Sequence, residues 1–314
     1  NDDAGISFRD DKYCIHHRND NWFKLKQDNL DKLKHFSKNR KFLYCSQTNS
    51  ASGHPIVYPQ YKENMEELLK TKIKKMLVTG LQNLGDLNAD YFLPYAGFSK
   101  SYVNNKNYNL LAFDPTFKNL KELIRNEKII KIDKMIDIFP GGTIDLSNGN
   151  VEYPFNFKPE RLIDITNDYL VNENYIKKCD TYNEEFNNKE INVNNLENYL
   201  TEFCKFTYDY LNRFPNFYPS IKNKKICFEV FSNSNREQKT LDLKNQKILN
   251  NDDCNKKFII NANIFNAMYE KKIVFENLYT GYEAEVMRFP LDEYNRDIII
   301  YLDMFGYKYK NAKK

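Results

Sequence analysis

The chain has 314 residues, enough for two domains, and its 41% hydrophobic and 15% aromatic content is enough to fill sizeable cores. Its net charge of +4 arises from lysines scattered among acidic residues, which excludes the basic stripe typical of a nucleic-acid-binding surface. The mean hydropathy is −0.74, and no apolar run reaches the length of about 18 residues that a bilayer requires, so we expect no membrane-spanning helix.

The cysteines predict a reducing compartment. They lie far apart, without a C-x-x-C pair or a Cys/His ligand spacing, so we expect free thiols. The six are Cys14, Cys45, Cys179, Cys204, Cys227 and Cys254. Together with the absence of a signal peptide, this predicts a cytoplasmic location. The first three residues lead directly into a predicted strand, and we expect a further portion of the protein before residue 1.

The first candidate site lies at the end of a short strand. Residues 4–8 and 12–16 are predicted to form two strands around a polar turn, and the second leads into His16-His17-Arg18-Asn19-Asp20-Asn21. Imidazole and carboxylate groups that converge at a strand end can ligate a hard or borderline metal ion, and His17 and Asp20 are the candidates. The alternative is an ordinary solvated turn.

A loop of small residues is the second candidate site. A helix at 28–37 and a buried strand at 42–45 precede this loop, which spans residues 46–55. Such a loop brings backbone N–H groups and hydroxyl groups close to a ligand, although ordinary connectors have the same composition. His54 is a candidate general base because imidazole titrates near neutral pH; a structural or solvent-facing role is the alternative.

The third candidate site follows another buried strand. An amphipathic helix at 62–79 leads to the apolar run 91–93, which we expect to end at Pro94 because proline cannot donate a ladder hydrogen bond. Gly97 suits a sharp turn in the next loop. Ligands of open α/β sheets bind beyond the carboxyl ends of strands, so this strand–helix–strand order predicts an α/β layer with a pocket here. A plain exit from the strand is the alternative.

The last third of the sequence predicts a separate small α+β domain. Composition changes after about residue 182, where Asn-rich stretches form a polar seam. A long helix, three β-rich segments and two further helices follow, at 194–213, 225–231, 240–243, 258–260, 262–269 and 294–305. This order loosely resembles the sterol-carrier-like lipid-binding fold. We therefore expect two domains, 1–185 and 186–314.

Five short stretches, in a common order, resemble a known family. They are Arg18-Asn19-Asp20, Ser50-Ala51-Ser52-Gly53-His54-Pro55, Tyr91-Phe92-Leu93-Pro94-Tyr95-Ala96-Gly97-Phe98, Pro140-Gly141-Gly142-Thr143-Ile144-Asp145-Leu146 and Leu278-Tyr279-Thr280-Gly281-Tyr282. On these stretches the chain resembles the C-terminal half or more of the CMP-N-acetylneuraminate hydroxylase family, Rieske-type enzymes that oxidise the N-acetyl group of sialic acid nucleotides. The central domain of that family is similar to the metallo-β-lactamase superfamily. The resemblance therefore implies an α/β to α+β protein whose residues 1–185 form part of an αββα sandwich.

The resemblance also implies a site for an acidic sugar or nucleotide sugar. Asp20 matches the metal-binding carboxylate at a strand end, with His17, three residues earlier, as a second metal ligand. His54, the candidate catalytic base, lies in the middle of the second matched stretch, where it departs from the pattern of the family. The side chains implied to contact the substrate are those of Asn49, Ser50, Ser52, Tyr95, Lys100 and Tyr102. Their hydroxyl groups would donate hydrogen bonds, and the lysine would meet an anionic group.

The cofactors implied by the family are a mononuclear iron and a [2Fe–2S] cluster that receives electrons from a donor protein. Neither the H-x-H-x-D-H motif nor the C-x-H…C-x-x-H pair is present in this sequence. The resemblance thus implies that a missing N-terminal portion supplies those ligands and packs on this one. The alternatives are that the chain is one part of a nicked or split enzyme, or that it is a degenerate relative that binds without reacting.

Two other classes of function stay open. A hydrolase of the metallo-β-lactamase superfamily would use zinc or manganese to activate water for attack on a phosphate or lactone ester. A non-catalytic binding module would instead hold its ligand in an apolar cavity formed after about residue 192.

Overall fold

Two separately packed units of mixed α/β structure make up the protein. A computed structural model describes residues 5–19, 23–47, 55–95, 122, 125–126, 134–136, 138, 141–154, 191–233, 235–280 and 283–311. The first unit takes its described residues from Asn1–Ser50 and Glu66–Ile176, and the second from Ala51–Met65 and Lys177–Lys314. The predicted boundary at 185/186 lies outside the described residues.

The first unit is built on a four-stranded sheet with the order β1-β2-β3-β4. Its elements are β1 (Ile6–Arg9), β2 (Tyr13–His17), α1 (Gln27–Ser37), β3 (Lys41–Gln47), α2 (Met65–Leu87) and β4 (Tyr91–Tyr95), followed by a hairpin of β5 (Thr143–Asp145) and β6 (Asn150–Glu152). Strand β1 pairs antiparallel with β2, whereas β2, β3 and β4 run parallel. The strand–helix–strand order therefore gives the predicted α/β layer.

The two faces of this sheet carry different side chains because successive strand residues point to opposite sides. One face joins the apolar stripes of the helices in a core formed by Cys14, Leu30, Phe42, Tyr44, Leu81, Leu84, Leu87, Ala89, Phe92 and Met135. On the other face Leu43, Cys45 and Ile136 are buried, with half-buried residues of β2, β4 and the hairpin packed against them.

Helix α2 begins three residues later and ends eight residues later than the predicted helix 62–79. The predicted helix stops one residue before Gly80, and glycine usually weakens a helix. In the structure a Cβ on Gly80 would lie 3.2 Å from the Ser46 hydroxyl oxygen, so the glycine lets the helix approach β3 closely. Leu81 and Leu84 then continue the apolar stripe into the core.

Strand β4 continues through Pro94, so the prediction that proline ends it was wrong. Pro94 pairs with Ser46 and Tyr95 with Gln47 on β3. On its other side, the described part of β4 has one isolated bridge, at Phe92. Proline is tolerated on such an edge because its missing N–H is not needed by a neighbouring strand.

The second unit is built on a five-stranded sheet with the order β11-β10-β7-β8-β9. Its elements are α3 (Val193–Arg213), β7 (Lys225–Phe231), β8 (Arg236–Asp242), β9 (Lys247–Leu249), β10 (Lys256–Asn261), α4 (Ala262–Tyr269), α5 (Phe275–Thr280), β11 (Ala284–Arg288) and α6 (Arg296–Asn311). The central pair β7 and β10 is parallel, and the other pairs are antiparallel. The Asn192 and Asn261 side chains accept hydrogen bonds from the first turns of α3 and α4, which fixes where these helices begin.

Aromatic rings fill the interior between this sheet and its helices. Tyr199 of α3 lies in the centre, with its ring centroid 5.2 Å from that of Phe305 and 5.8 Å from those of Phe228 and Phe265. Each of these rings is at most 4% exposed. Edge-to-face packing of this kind stabilises by about 1 kcal/mol per pair beyond the burial itself.

Residues 55–65 pack in the second unit, although they lie far from its other residues in the sequence. Val57 and Tyr58 are fully buried in its aromatic core. The Gln60 side chain also binds both backbone groups of Arg288, accepting at 2.8 Å and donating at 2.9 Å. Within the described ranges, no helix has the length and apolar composition needed to cross a bilayer.

Candidate functional site

The candidate site lies at the carboxyl edge of the first sheet. Strands β2, β3 and β4 are adjacent and parallel, with His17 opposite Cys45 and Gln47 opposite Tyr95. All three strands therefore deliver the chain to one edge, which is where open α/β sheets bind ligands. The residues that follow these strands are the three candidate stretches of the sequence, beginning at residues 18, 48 and 96.

Two predicted site residues, His17 and Tyr95, meet at this edge. Their ring centroids are 4.3 Å apart, with 22° between the ring planes. The Tyr95 hydroxyl donates to the carbonyl oxygen of Asn19, and the backbone N–H of Asn19 donates to Nδ1 of His17 at 3.1 Å. Asn19 adopts a left-handed conformation with φ of +53°, which turns the chain back over the two rings. The three residues thus form a closed set of contacts.

The hydrogen bond to Nδ1 decides what His17 can do chemically. A neutral imidazole that accepts at Nδ1 carries its proton on Nε2. Nε2 is then a hydrogen-bond donor, suited to an oxygen atom of a ligand. A metal ion at Nε2 would require loss of that proton or of the Asn19 bond, since metal-bound histidines normally donate from their other nitrogen.

Arg18, the residue after His17, carries a buried positive charge. Arg18 is 4% exposed, and its guanidinium donates to the carbonyl oxygen of Phe23 at 2.6 Å. Burial lowers the pKa of Arg18, but an arginine stays charged at neutral pH. Burial, and then the charge of Arg18, lowers the pKa of His16 to about 4, so His16 is neutral at pH 7. Arg18 is thus a fixed cation beside a neutral His16.

Helix α2 holds this edge in place through Asn83. Its fully buried side chain accepts from the backbone N–H of Leu25 at 2.9 Å and donates to the carbonyl oxygen of Phe23 at 3.2 Å. Arg18 donates to the same carbonyl group. Because every buried polar group must find a partner, this network fixes the segment after β2 against the helix.

The other predicted site residues lie outside the described residues. They are Asp20, Asn49, Ser50, Ser52, His54, Lys100 and Tyr102. Among the residues that the structure does describe, no three His, Cys, Asp or Glu side chains come together as a metal site. Cys14, Cys45, Cys204, Cys227 and Cys254 are buried free thiols, as the sequence predicts.

Sequence reasoning gave no role to Arg18 or Asn19, which lie between the two residues it selected. The signal that the sequence offered for Arg18 was its position. A residue that directly follows a strand must have its backbone at the edge of the sheet. Its burial and its backbone partner depend on α2 and so could not be found locally.

Comparisons with known proteins leave the family open. No family model matches the chain, and no curated protein matches it. Among solved structures, the chain is similar to the apo form of sterol carrier protein 2 from Yarrowia lipolytica, with 19% identity and a TM-score of 0.23, over 30% of this chain and 73% of that one. It is also similar to sterol carrier protein 2 like 2 from Aedes aegypti, with 13% identity and a TM-score of 0.23, over 32% of this chain and 92% of that one.

Proposed function

We propose that the carboxyl edge of the first sheet binds an anionic small molecule of the acidic-sugar or nucleotide-sugar class. The observation that supports this most is the convergence of three parallel strands, each of which leads directly into a candidate stretch. Strand ends of this kind position loop residues around a ligand without disturbing the sheet.

The roles of the described residues follow from their contacts. His17 would donate from Nε2 to a ligand oxygen, since Nδ1 accepts from Asn19. Tyr95 would hold that imidazole in place by stacking, and its ring edge would contact the ligand. Arg18 would favour an anion through its charge, which burial leaves poorly screened by water. The loop residues Asn49, Ser50, Ser52, Lys100 and Tyr102 would complete the pocket.

We further propose that this binding serves a Rieske-type hydroxylase, of which the chain is the C-terminal portion. Iron would supply the activation of oxygen. The described residues do not form its site, and the proton on Nε2 disfavours His17 as a ligand, so the ligands would come from Asp20 and from polypeptide outside this sequence. The [2Fe–2S] cluster and the contact with an electron-donor protein would lie in that polypeptide, in the cytoplasm.

The finer fold assignment belongs to the same proposal. The first sheet has helices on one face and apolar residues on the other, as one half of a metallo-β-lactamase-like αββα sandwich would. The strand and helix order of the second unit suits the sterol-carrier-like class. A hydrolase with zinc or manganese would use the same edge, with water instead of oxygen as the second reactant.

A non-catalytic module with an apolar ligand in the second unit is less well supported. The described interior of that unit is occupied by interlocking rings, and a ligand the size of a sterol would have to displace several of them. Opening such a core costs several kcal/mol, because each displaced ring loses its packing.

The test is binding of CMP-N-acetylneuraminate to the full chain by calorimetry. We expect His17→Ala to weaken binding about tenfold or more, because a hydrogen bond to an anion is lost. Tyr91→Phe is the control and should leave the affinity unchanged. Tyr91 lies on the same face of β4 as Tyr95, but at the opposite end of that strand from the proposed site. Equal affinities for wild type and His17→Ala would contradict the proposed site. In the intact protein, full turnover without iron would contradict the hydroxylase and favour the hydrolase.

A further inference from the structure

A second chemical site lies on the face of the second sheet that points away from the aromatic core. Cys227 on β7 is fully buried there. Its partners across the sheet are Thr240 on β8 and Lys257 on β10, so the three side chains share one face. This face lies away from the ring packing around Tyr199 and takes no part in the proposed ligand site.

The segment 250–255 crosses this face and covers Cys227. The carbonyl oxygen of Asn251 accepts from Gln238 at 3.0 Å and from the Thr240 hydroxyl. Asn255 exchanges two hydrogen bonds of 2.8 Å with the backbone of Lys225, one through its side chain and one through its backbone N–H. These bonds fix both ends of the segment and place Cys254 over β7.

The two thiols are neighbours, and neither is oxidised. The hydrogen bonds of Asn251 to Thr240 and of Asn255 to Lys225 bring Cys254 beside Cys227, and both are free cysteines. Hydrogen bonding from the Cys254 thiol, together with the Thr240 hydroxyl and the Lys257 charge, lowers the pKa of Cys227 despite its burial. The same contact and burial raise the pKa of Cys254. Cys227 is thus the sulfur of the pair that loses its proton more readily, and Cys254 is the neighbouring thiol.

Elsewhere in the same unit Cys204 provides a natural comparison. It is 8% exposed, as is Cys254, but burial alone raises its pKa. Cys204 lies on α3 within the aromatic core cluster. Exposure alone therefore does not distinguish Cys204 from Cys254, whereas the neighbouring Cys227 does.

We propose that Cys227 and Cys254 form a redox-active pair that a peroxide converts into a disulfide. The Cys227 thiolate attacks one peroxide oxygen, the O–O bond breaks, hydroxide leaves, and Cys227 becomes a sulfenic acid. Cys254 then loses its proton, its sulfur attacks the Cys227 sulfur, and the S–O bond breaks with release of water. In sum, two thiols and one hydrogen peroxide give one disulfide and two waters.

The disulfide would tie segment 250–255 covalently to the central strand β7. In the reduced protein this segment is held by hydrogen bonds and by two ion pairs, Asp252 with Lys257 at 3.5 Å and Asp253 with Lys225. Its residues 250–253 are exposed, so lifting it from the sheet breaks mainly polar contacts and exposes Cys254, and this lifting admits the oxidant. Oxidation would stop the lifting.

The test uses the full chain carrying Cys179→Ser, treated with equimolar hydrogen peroxide, alkylated, digested and analysed by mass spectrometry. We expect a peptide pair linked through Cys227 and Cys254, released by dithiothreitol, and formed about tenfold faster than any oxidation of Cys204. In Cys254→Ser, a sulfenic-acid probe should label Cys227 instead. The proposal would be overturned if no Cys227–Cys254 pair formed, or if Cys204 were oxidised as fast as that pair formed. Pairing of Cys227 with another cysteine would also overturn it. The pairing found in the Cys179→Ser protein decides the matter even if Cys254→Ser does not fold.

Discussion

Replacing Lys256 with methionine should stabilise the second unit at neutral pH. The Lys256 side chain is fully buried, its ammonium donates to the carbonyl oxygen of Tyr294 at 2.9 Å, and it lies 5.0 Å from the Tyr294 ring centroid. Burial and then the neighbouring Arg288 charge lower the Lys256 pKa from 10.5 to about 7, and Asp297 offsets only part of this. At pH 7 and below, the folded protein therefore holds a charge that the unfolded chain would solvate better.

The magnitude follows from the two pKa values. Between about 7 and 10.5 the unfolded chain binds more protons than the folded one, so stability rises with pH in this window. With about 1.4 kcal/mol for each pKa unit, burying this lysine, which loses its proton on folding above about pH 7, lowers stability by about 4 kcal/mol at pH 7 and about 2 kcal/mol at pH 9. Methionine removes this term and loses one hydrogen bond worth about 1 kcal/mol. The variant should be more stable than the wild type by about 3 kcal/mol at pH 7 and about 1 kcal/mol at pH 9.

Hydrogen exchange of the β10 amides measures this free energy within the second unit, because core strands exchange through its largest opening. Lys257→Met is the matched control: Lys257 lies next in the chain on the other face, 2.6 Å from Glu229, and that ion pair raises its pKa. The control should be destabilised at both pH values. A Lys256→Met protein less stable than the wild type at pH 7, or a difference that does not change with pH, would refute the reasoning.

Three further substitutions test other parts of the fold. Gly149→Ala should destabilise the β5–β6 hairpin by more than about 1 kcal/mol in denaturant unfolding, because φ is +82° and the new Cβ would lie 2.6 Å from the Tyr91 ring. Gly85→Ala, in α2 with no atom within 4 Å of the added carbon, should instead stabilise by up to about 1 kcal/mol; a loss there would contradict the assignment of open space. Asp303→Asn should stabilise at pH 8, since burial and then Glu276 raise the Asp303 pKa to about 7. That gain should shrink as the pH falls below 7. A stability difference between Asp303→Asn and wild type, measured by hydrogen exchange in α6, that stays the same across this pH range would exclude this explanation.

Local sequence patterns were sufficient to predict the boundaries of an element when the residues that define those boundaries lie within or next to it. Helix α4 begins and ends at the predicted residues because Asn261 caps it and the apolar residues repeat at helical spacing. Strand β7 likewise matches its prediction, because its residues alternate between the core and the opposite face. These signals lie within a few residues of the element that they define.

Tertiary contacts decided the elements that sequence reasoning missed or misplaced. Strand β11 was not predicted, because Ala284 and Glu285 give no apolar alternation until pairing with β10 buries one side. Residues 55–65 joined the second core through Val57 and Tyr58, a contact that no local pattern encodes. The predicted helix ended at residue 79, whereas α2 continues through Gly80, where the lack of a Cβ leaves room for the Ser46 hydroxyl group.

The candidate site shows the same division. That strands end close to His17 and Tyr95 could be predicted to within one or two residues, since apolar runs give way to polar or small residues there. That the strands are parallel neighbours, and that His17 stacks on Tyr95 across β3, depends on the pairing of residues about 80 positions apart. The proton on Nε2 depends in turn on the turn at Asn19.

The most direct test of the ligand site is hydrogen exchange of the full chain with and without saturating CMP-N-acetylneuraminate. We expect slower exchange at the amides that end β2, β3 and β4, around His17, Gln47 and Tyr95, and unchanged exchange in the core of the second unit. Protection confined to the second unit, with the strand ends unchanged, would contradict a ligand site at the carboxyl edge of the first sheet.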